Sequence, residues 1–314
     1  MSLRPSIPRP HPEGLRWLRS DGKPNFSDRV RRREGDAKII ARRPVHTVSK
    51  NATILAALEE MANRNIRSLV IADPGSMRLQ GIVTVMDFVN YLGGGELYNI
   101  VEKRHNGIIY SALLREKVSS IMNPNPIYAS IEENLPSILE KMITQQVGVI
   151  PIVYDDGRIW GIITEHDIVA EIVEKNVGRK VAEVMTRSLI SAPYESRIID
   201  VLRLMVRYGV RRIPLVDENA VKAIITAKDI VKFFGSHEVF NHVIEGSIKE
   251  VHSLPARLIA SNVVVTIDAD ADVGEAATLM MRKGVSSLIV TDSSGNVVGI
   301  VTERDILYGL ATSR

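Results

Sequence analysis

The stretch Gly81-Ile-Val-Thr-Val-Met-Asp87 decides the fold, because the chain contains three further copies of it. These copies are Gly161-Ile-Ile-Thr-Glu-His-Asp167, Ala223-Ile-Ile-Thr-Ala-Lys-Asp229 and Gly299-Ile-Val-Thr-Glu-Arg-Asp305. In each copy a short apolar strand ends at Thr-x-x-Asp, and the apolar run after the Asp is typical of a helix start. An internal repeat of this kind indicates an architecture built from similar units.

The sequence around each copy predicts the same series of elements. An extended segment is followed by an amphipathic helix, two strands joined by a tight turn, and a second helix. The fold class is therefore α/β, or α+β, with four β-α-β-β-α units. The predicted segments are an N-terminal extension (1–35), repeat 1 (36–92), a connector (93–114), repeat 2 (115–174), repeat 3 (175–234), a second connector (235–247) and repeat 4 (248–314).

A second level of repetition indicates a duplicated pair. Thr84 and Thr226 are 142 residues apart, and so are Asn99 and Asn241 in the two connectors. The motif Asp residues are 80 and 76 residues apart within the two halves but 62 apart between them. We therefore expect repeats 1 and 2 to belong together, and repeats 3 and 4 likewise.

Composition limits the class of protein. The 314 residues are 45% hydrophobic, include no cysteine, and contain no apolar run of about 18 residues that would span a membrane. The lack of cysteine excludes disulfides and thiolate metal sites and fits a cytoplasmic location. Residues 1–43 carry a net charge of +7, whereas the remainder carries −4, so a basic, proline-rich extension precedes a mildly acidic body.

The Thr-x-x-Asp motif permits two interpretations. It resembles a capping box, in which the Thr hydroxyl and the acidic side chain satisfy backbone N–H groups of the first helical turn. The same helix start attracts phosphate, and a short carboxylate there can accept both hydroxyls of a ribose. A capping box accepts Glu or Gln equally well, yet all four copies carry Asp. This uniformity favours ligand binding in some copies, and capping can coexist with it.

Motifs for catalysis are missing from the sequence. The seven histidines show no metal-ligand spacing, and there is no nucleophile elbow, no phosphate loop and no dinucleotide fingerprint. The sequence therefore predicts a protein that is not an enzyme and holds no metal.

The four units, each ending in Gly-h-h-Thr-x-x-Asp-h, where h is an apolar residue, resemble the CBS domain, named after cystathionine beta-synthase. Two such units pack as a Bateman module, so the resemblance implies two modules. The connector Gly93-Gly-Gly-Glu-Leu-Tyr-Asn99 is similar to that of archaeal relatives of the gamma subunit of AMP-activated protein kinase. The resemblance implies a regulatory, energy-sensing protein that binds AMP, ADP or ATP and is read by a regulated protein that the sequence does not identify.

The resemblance also implies site residues. A basic position before the middle strand of one repeat faces the phosphate held by the Asp of its partner repeat. It assigns Arg67 to Asp167, and Arg211 with Arg212 to Asp305. As nucleotide sites, the Asp305 site therefore ranks first and the Asp167 site second, followed by the Asp229 site and then the Asp87 site. The other expected contacts are the motif residues Thr84, Thr164, Thr226 and Thr302 and the cations His166, Lys228 and Arg304. Two sets of residues are expected to face adenine: Ile300 with Val210 and Ile190, and Ile162 with Ile66 and His46.

The aliphatic residues among these also fit a simpler interpretation as parts of the hydrophobic core. The cations also fit a simpler interpretation as solvated side chains at helix starts. Two other functions stay open at this point. The basic segment Arg29–Arg43 is suited to the phosphate backbone of a nucleic acid, and the repeats alone are suited to a ligand-free scaffold. A homodimer is compatible with the sequence.

Overall fold

The computed structural model describes residues 35–218 and 220–311. The N-terminal extension predicted for residues 1–35 therefore lies outside the described residues, apart from Gly35. Within the described ranges the chain forms four three-stranded sheets flanked by helices, which confirms the predicted α/β class with four units. Within the same ranges, no helix is both long and apolar enough to cross a membrane.

The helices and strands follow the predicted order in every repeat. In and after repeat 1 they are α1 (Asp36–Ile40), β1 (Thr47–Val48), α2 (Ile54–Arg64), β2 (Ser68–Ala72), β3 (Leu79–Thr84), α3 (Val85–Val89), α4 (Tyr98–His105) and α5 (Ile109–Leu114). Repeat 2 contains β4 (Ala129–Ser130), α6 (Leu135–Thr144), β5 (Val149–Val153), β6 (Ile159–Thr164) and α7 (Glu165–Ala170).

The second half repeats this pattern. Repeat 3 contains α8 (Val181–Val184), β7 (Ala192–Pro193), α9 (Ile198–Tyr208), β8 (Arg212–Asp217), β9 (Ala220–Thr226) and α10 (Ala227–Gly235). Repeat 4 contains α11 (Ile248–Ser253), β10 (Thr266–Asp268), α12 (Val273–Lys283), β11 (Ser287–Thr291), β12 (Val297–Thr302) and α13 (Glu303–Ala311).

All four sheets have the same topology, and their register fixes the motif. The first strand runs parallel to the second, and the second forms an antiparallel hairpin with the third. In each hairpin the motif Thr lies opposite the first residue of the middle strand, as in the pairs Ser68 with Thr84 and Arg212 with Thr226. Each Thr-x-x-Asp therefore lies at the sheet edge, beside the position that the sequence marked as basic.

Apolar residues at helical spacing explain why the helices form and dock. In α9, Ile198, Val201, Leu202 and Met205 lie on one face and are almost fully buried. The helix ends at Gly209, whose φ of 63° is a left-handed C-cap conformation that glycine adopts without strain.

The chain divides into two compact units, each of which contains one repeat from each half of the chain. The odd unit (His46–Asn125 and Ile190–Val264) contains repeats 1 and 3, and the even unit (residues 35–45, Pro126–Leu189 and 265–311) contains repeats 2 and 4. The physical reason is helix packing, since α10 packs on α2 in the odd unit and α13 packs on α7 in the even unit. The spacing of the motif along the chain carries no information about these helix faces.

Asp272 holds the even unit together in a way that predicts acid sensitivity. Its carboxylate accepts backbone N–H groups of Val177 (2.9 Å), Gly178 (2.7 Å), Arg179 (3.2 Å) and Gly274 (2.7 Å). Burial alone would raise the pKa of Asp272, but these donors outweigh it and lower the pKa. This contribution to stability is therefore complete above the unfolded-state pKa of about 3.9 and is lost as the pH falls through the lower folded-state value.

We expect Asp272→Asn to lower the thermal unfolding midpoint at pH 7, because an amide cannot accept all four hydrogen bonds. The difference from the wild type should narrow as the pH falls below about 4, where the wild-type carboxylate also protonates. Thermal unfolding between neutral and acid pH checks this, with the exposed neighbour Asp270→Asn as the control. A difference that is independent of pH would contradict the expectation.

Candidate functional site

All four Thr-x-x-Asp motifs form helix caps. Oδ2 of the Asp accepts the backbone N–H of the motif Thr at 2.8 Å in every copy. In the first three copies the Thr hydroxyl also lies within hydrogen-bond distance of this oxygen, at 2.9, 2.7 and 2.6 Å. One carboxylate oxygen of each Asp is therefore committed to the cap, and Oδ1 remains for other partners.

The start of each repeat contributes a segment that lies beside the Thr-x-x-Asp motif of another repeat. We call Arg42, Asn123, Thr186 and Ser261 the strap residues, because each forms a two-bond antiparallel bridge with the final strand of another repeat. Their partners are Ile162, Ile82, Ile300 and Ile224, each two residues before a motif Thr, with N–O distances of 2.8–3.2 Å. Consecutive repeats thus exchange straps: the strap at the start of repeat 1 pairs with repeat 2, and the strap at the start of repeat 2 pairs with repeat 1.

The strap explains the glycine that begins three of the motifs. A Cβ at Gly81 would lie 2.8 Å from the carbonyl oxygen of Asn123, and one at Gly299 would lie 2.6 Å from that of Thr186. At Gly161 the nearest atom would be Cβ of Ala41, at 2.8 Å. The glycine therefore permits close approach of the strap, a role that the sequence did not reveal.

The strap side chains make the four carboxylates unequal. At Asp305, Oδ1 accepts the hydroxyl of Thr186 at 3.1 Å. At Asp167, Oδ1 lies 2.6 Å from Nε of Arg42. Oδ1 of Asp229 has no hydrogen-bond partner within the described part of the chain. Burial is the main cause of a raised pKa at Asp229, which Thr226 and Lys228 only partly offset.

A raised pKa at Asp229 means that its charge costs stability in the folded state. The cost is absent below the unfolded-state pKa of about 3.9 and appears as the pH rises through the folded-state value. We therefore expect Asp229→Asn, which keeps an oxygen for the cap, to have a thermal midpoint at pH 7 no lower than that of the wild type. Thermal unfolding measures this, and a clear fall in the midpoint would show that the charge itself stabilises the fold.

The cations inside two motifs are paired with carboxylates. Nε of Arg304 donates to Glu165 at 2.7 Å, and Nδ1 of His166 lies 2.7 Å from Glu303, so repeats 2 and 4 exchange polar contacts between α7 and α13. Glu165 and Glu303 are 3% and 1% exposed. Sequence reasoning placed Arg304 and His166 against a phosphate; the structure pairs them instead, and a phosphate contact stays a prediction.

The positions predicted to be basic lie beside the cap of their own repeat. The carbonyl oxygens of Arg67 and Arg211 accept the N–H of Val85 and Ala227, the first residues of α3 and α10. Arg212 lies in β8 opposite Thr226. The structure thus brings Arg67 to the Asp87 motif and the two consecutive arginines to the Asp229 motif.

The residues that the resemblance combined into sites belong to different compact units. Those in the odd unit are His46, Ile66, Arg67, Thr84, Asp87, Ile190, Val210, Arg211, Arg212, Thr226, Lys228 and Asp229. Those in the even unit are Ile162, Thr164, His166, Asp167, Ile300, Thr302, Arg304 and Asp305. The assignment of Arg67 to Asp167 and of Arg211 and Arg212 to Asp305, like the two adenine-facing sets, stays a prediction.

Sequence reasoning missed the strap residues Arg42 and Thr186. A signal existed, since each strap residue stands 40 to 42 positions before the motif Thr of its own repeat. Arg42 and Arg43 also belong to the segment proposed to bind nucleic acid, but Arg42 contacts Asp167, and the guanidinium of Arg43 lies 3.8 Å from the Trp160 ring centroid. The rest of that segment up to residue 34 lies outside the described residues.

Four segments of the chain match the family model described as the CBS domain, at residues 36–94, 118–174, 181–236 and 256–312. Protein MJ1225 of Methanocaldococcus jannaschii is 32% identical over 271 residues, which cover 86% of this chain and 96% of the relative. A 33.4 kDa protein encoded in a ribosomal RNA operon of Thermofilum pendens is 31% identical over 267 residues, covering 85% and 88% of the two chains.

Solved structures agree with these relatives. The crystal structure of MJ1225 aligns with a TM-score of 0.81 at 32% identity, over 87% of this chain and 99% of that chain. Its description proposes an archaeal homologue of the gamma subunit of AMP-activated protein kinase. A conserved protein of Pyrococcus horikoshii aligns with a TM-score of 0.57 over the same 87% of this chain and 99% of that chain, at 15% identity, and so shares the fold.

Proposed function

Because the chain belongs to the CBS-domain family, we propose that it is a non-catalytic regulatory protein that binds AMP, ADP or ATP. The bound nucleotide would be read by a partner protein. The description of MJ1225 as a homologue of a kinase gamma subunit supports this proposal at the level of the whole chain, because the similarity covers 87% of this chain.

The observation that carries the proposal is the geometry of the Asp229 carboxylate. Thr226 holds Oδ2 through its N–H and its hydroxyl, so the carboxylate orientation is fixed before any ligand arrives. Oδ1 has no partner within the described residues, and Lys228 precedes the Asp in the same helical turn. A fixed, partly desolvated carboxylate is suited to the two hydroxyls of a ribose, because hydrogen bonds to a charged acceptor are strong.

Phosphate groups would be recognised by the helix start and the neighbouring cations. The helix α10 begins at this cap, and its first N–H groups and positive dipole end favour negative charge. Arg211 and Arg212 lie at the same sheet edge, in the register described above. The Asp305 motif has the same carboxylate with Thr186 at Oδ1, a neutral hydroxyl that can turn to serve a ribose as well.

Isothermal titration of the full chain with AMP, ADP and ATP tests the proposal. Asp229→Asn and Asp305→Asn keep a cap oxygen but remove the charge, so each should weaken binding at its site by about 10-fold or more. Asp270→Asn, at an exposed carboxylate outside the motifs, is the matched control and should bind as the wild type does. Absence of binding at about 1 mM nucleotide, or binding that neither motif variant changes, would refute the proposal.

A further inference from the structure

Both oxygens of the Asp167 carboxylate already have internal partners. Oδ2 accepts the N–H and the hydroxyl of Thr164 at 2.8 and 2.7 Å, and Oδ1 lies 2.6 Å from Nε of Arg42. A second guanidinium nitrogen of Arg42 donates to the Thr164 hydroxyl at 3.3 Å. The Asp167 side chain is only 8% exposed, whereas the Arg42 side chain is 55% exposed.

Backbone hydrogen bonds of the strap fix the position of Arg42. Its N–H and C=O both bond to Ile162, at 2.9 and 3.2 Å. On one side Arg43 stacks on Trp160. On the other side α1 docks through the fully buried Ala37, and Asp36 accepts the N–H of Leu135 at 3.3 Å. Both flanks of Arg42 are therefore anchored in the even unit.

The other three straps carry neutral residues at the matching position. They are Asn123, Thr186 and Ser261. Thr186 reaches its carboxylate with a hydroxyl, which can donate or accept and adds no charge. A guanidinium has donors only and cannot accept a hydrogen bond from a ribose hydroxyl. A ribose at Asp167 would therefore have to share Oδ1 with the Arg42 guanidinium or displace it, whereas Oδ1 of Asp229 has no partner within the described residues.

We infer that Arg42 is an internal occupant of the Asp167 motif, which closes repeat 2 to a nucleotide as long as the strap is docked. This inference rests on the proposed function, since it concerns which of the four motifs take the ligand. It reverses the ranking that sequence reasoning gave to Asp167, which placed that site second. The first strap of the chain thereby links the start of repeat 1 to ligand binding at repeat 2.

Nucleotide titration of the full chain with Arg42→Ala tests the inference. The variant should bind one more AMP per chain than the wild type, or bind AMP at repeat 2 at least about 10-fold more tightly. The gain should disappear in the double variant Arg42→Ala with Asp167→Asn. Asp167→Asn alone should leave the wild-type stoichiometry unchanged. Arg64→Ala, which removes an equally exposed arginine (55%) from an ion pair with Glu60, should show no gain.

A second readout and a milder variant keep the test decisive if Arg42→Ala does not fold. With Trp17→Phe, Trp160 is the only tryptophan in the chain and lies beside the strap, so its fluorescence reports on repeat 2 directly. Arg42→Gln keeps a donor without the charge and serves if the alanine variant does not fold. A wild-type site that Asp167→Asn removes, or a loss of AMP affinity in Arg42→Ala, would overturn the inference and leave the proposed function standing. Absence of binding by every variant would overturn both.

Discussion

Replacing Glu165 with alanine is expected to lower the free energy of unfolding of the even unit by about 3 kcal/mol. The Glu165 side chain is 3% exposed and receives Nε of Arg304 at 2.7 Å. The variant leaves the guanidinium of Arg304, 25% exposed, without this carboxylate at the contact between α7 and α13. Loss of one member of a buried pair costs more than the pair contributes, because the remaining charge is desolvated without compensation.

The surroundings of Glu165 are specific for its carboxylate. Burial alone would lower the pKa of Arg304, but the Glu165 carboxylate outweighs this and raises it. A Cβ at position 148 would lie 2.8 Å from the Glu165 carboxyl group, so Gly148 makes room for the carboxylate.

Urea unfolding followed by Trp160 fluorescence in a Trp17→Phe background measures the even unit, because Trp160 is then the only tryptophan. The matched control is Glu132→Ala, which breaks an exposed pair with Lys38 at 2.5 Å in the same even unit and should change stability by less than about 1 kcal/mol. The double variant Glu165→Leu with Arg304→Met should recover most of the loss, since it removes both charges and keeps the volume. Equal effects of Glu165→Ala and Glu132→Ala would contradict this expectation.

The two compact units differ in the residue that follows the motif Thr at the contact between the two motif helices. The residue after the motif Thr is Glu165 or Glu303 in the even unit, but Val85 or Ala227 in the odd unit, where both are almost fully buried. The contact between α3 and α10 in the odd unit is accordingly lined by apolar residues at this position, whereas the even unit uses the ion pair of Arg304 with Glu165 and the contact of His166 with Glu303. We expect salt to affect the even unit more than the odd unit for this reason, although the burial of both glutamates limits the screening.

Much of the fold was predictable because local signals determine it. The four motifs, the strand that ends at each Thr and the amphipathic helices depend on periodicity and capping within about 15 residues of sequence. The caps at Asp87, Asp167, Asp229 and Asp305 are also local, since Thr and Asp are three residues apart. These predictions are confirmed.

Long-range contacts explain what the sequence did not reveal. The exchange of straps brings Arg42 to Thr164, a separation of 122 residues, and the pairing of Arg304 with Glu165 joins residues 139 positions apart. Neither contact has a signature in hydrophobic periodicity. The helix faces that join repeat 1 to repeat 3 likewise follow from which apolar surfaces fit, and spacing between motifs contains no such information.

Substitution of Gly235 by alanine is expected to destabilise the odd unit by about 3 kcal/mol, at the upper end of the cost of overpacking. Gly235 is the last residue of α10, and an added Cβ would lie 2.3 Å from the carbonyl oxygen and 2.7 Å from the carbonyl carbon of Leu58 in α2. Both atoms are backbone atoms inside a helix, so no flexible side chain can move aside. Alanine favours a helix by about 1 kcal/mol over glycine, which does not offset the clash.

The same substitution should weaken nucleotide binding at Asp229, because the helix that must shift to relieve the clash begins at the Thr226 cap. Urea unfolding followed by circular dichroism measures the stability, and titration with AMP measures the binding. Gly75→Ala is the matched control, since a Cβ there would have its nearest neighbour at 3.6 Å and the variant should be neutral or slightly stabilising. A Gly235→Ala protein as stable as the Gly75→Ala protein would mean that α2 and α10 can separate freely, and helix packing could then not be what positions Asp229.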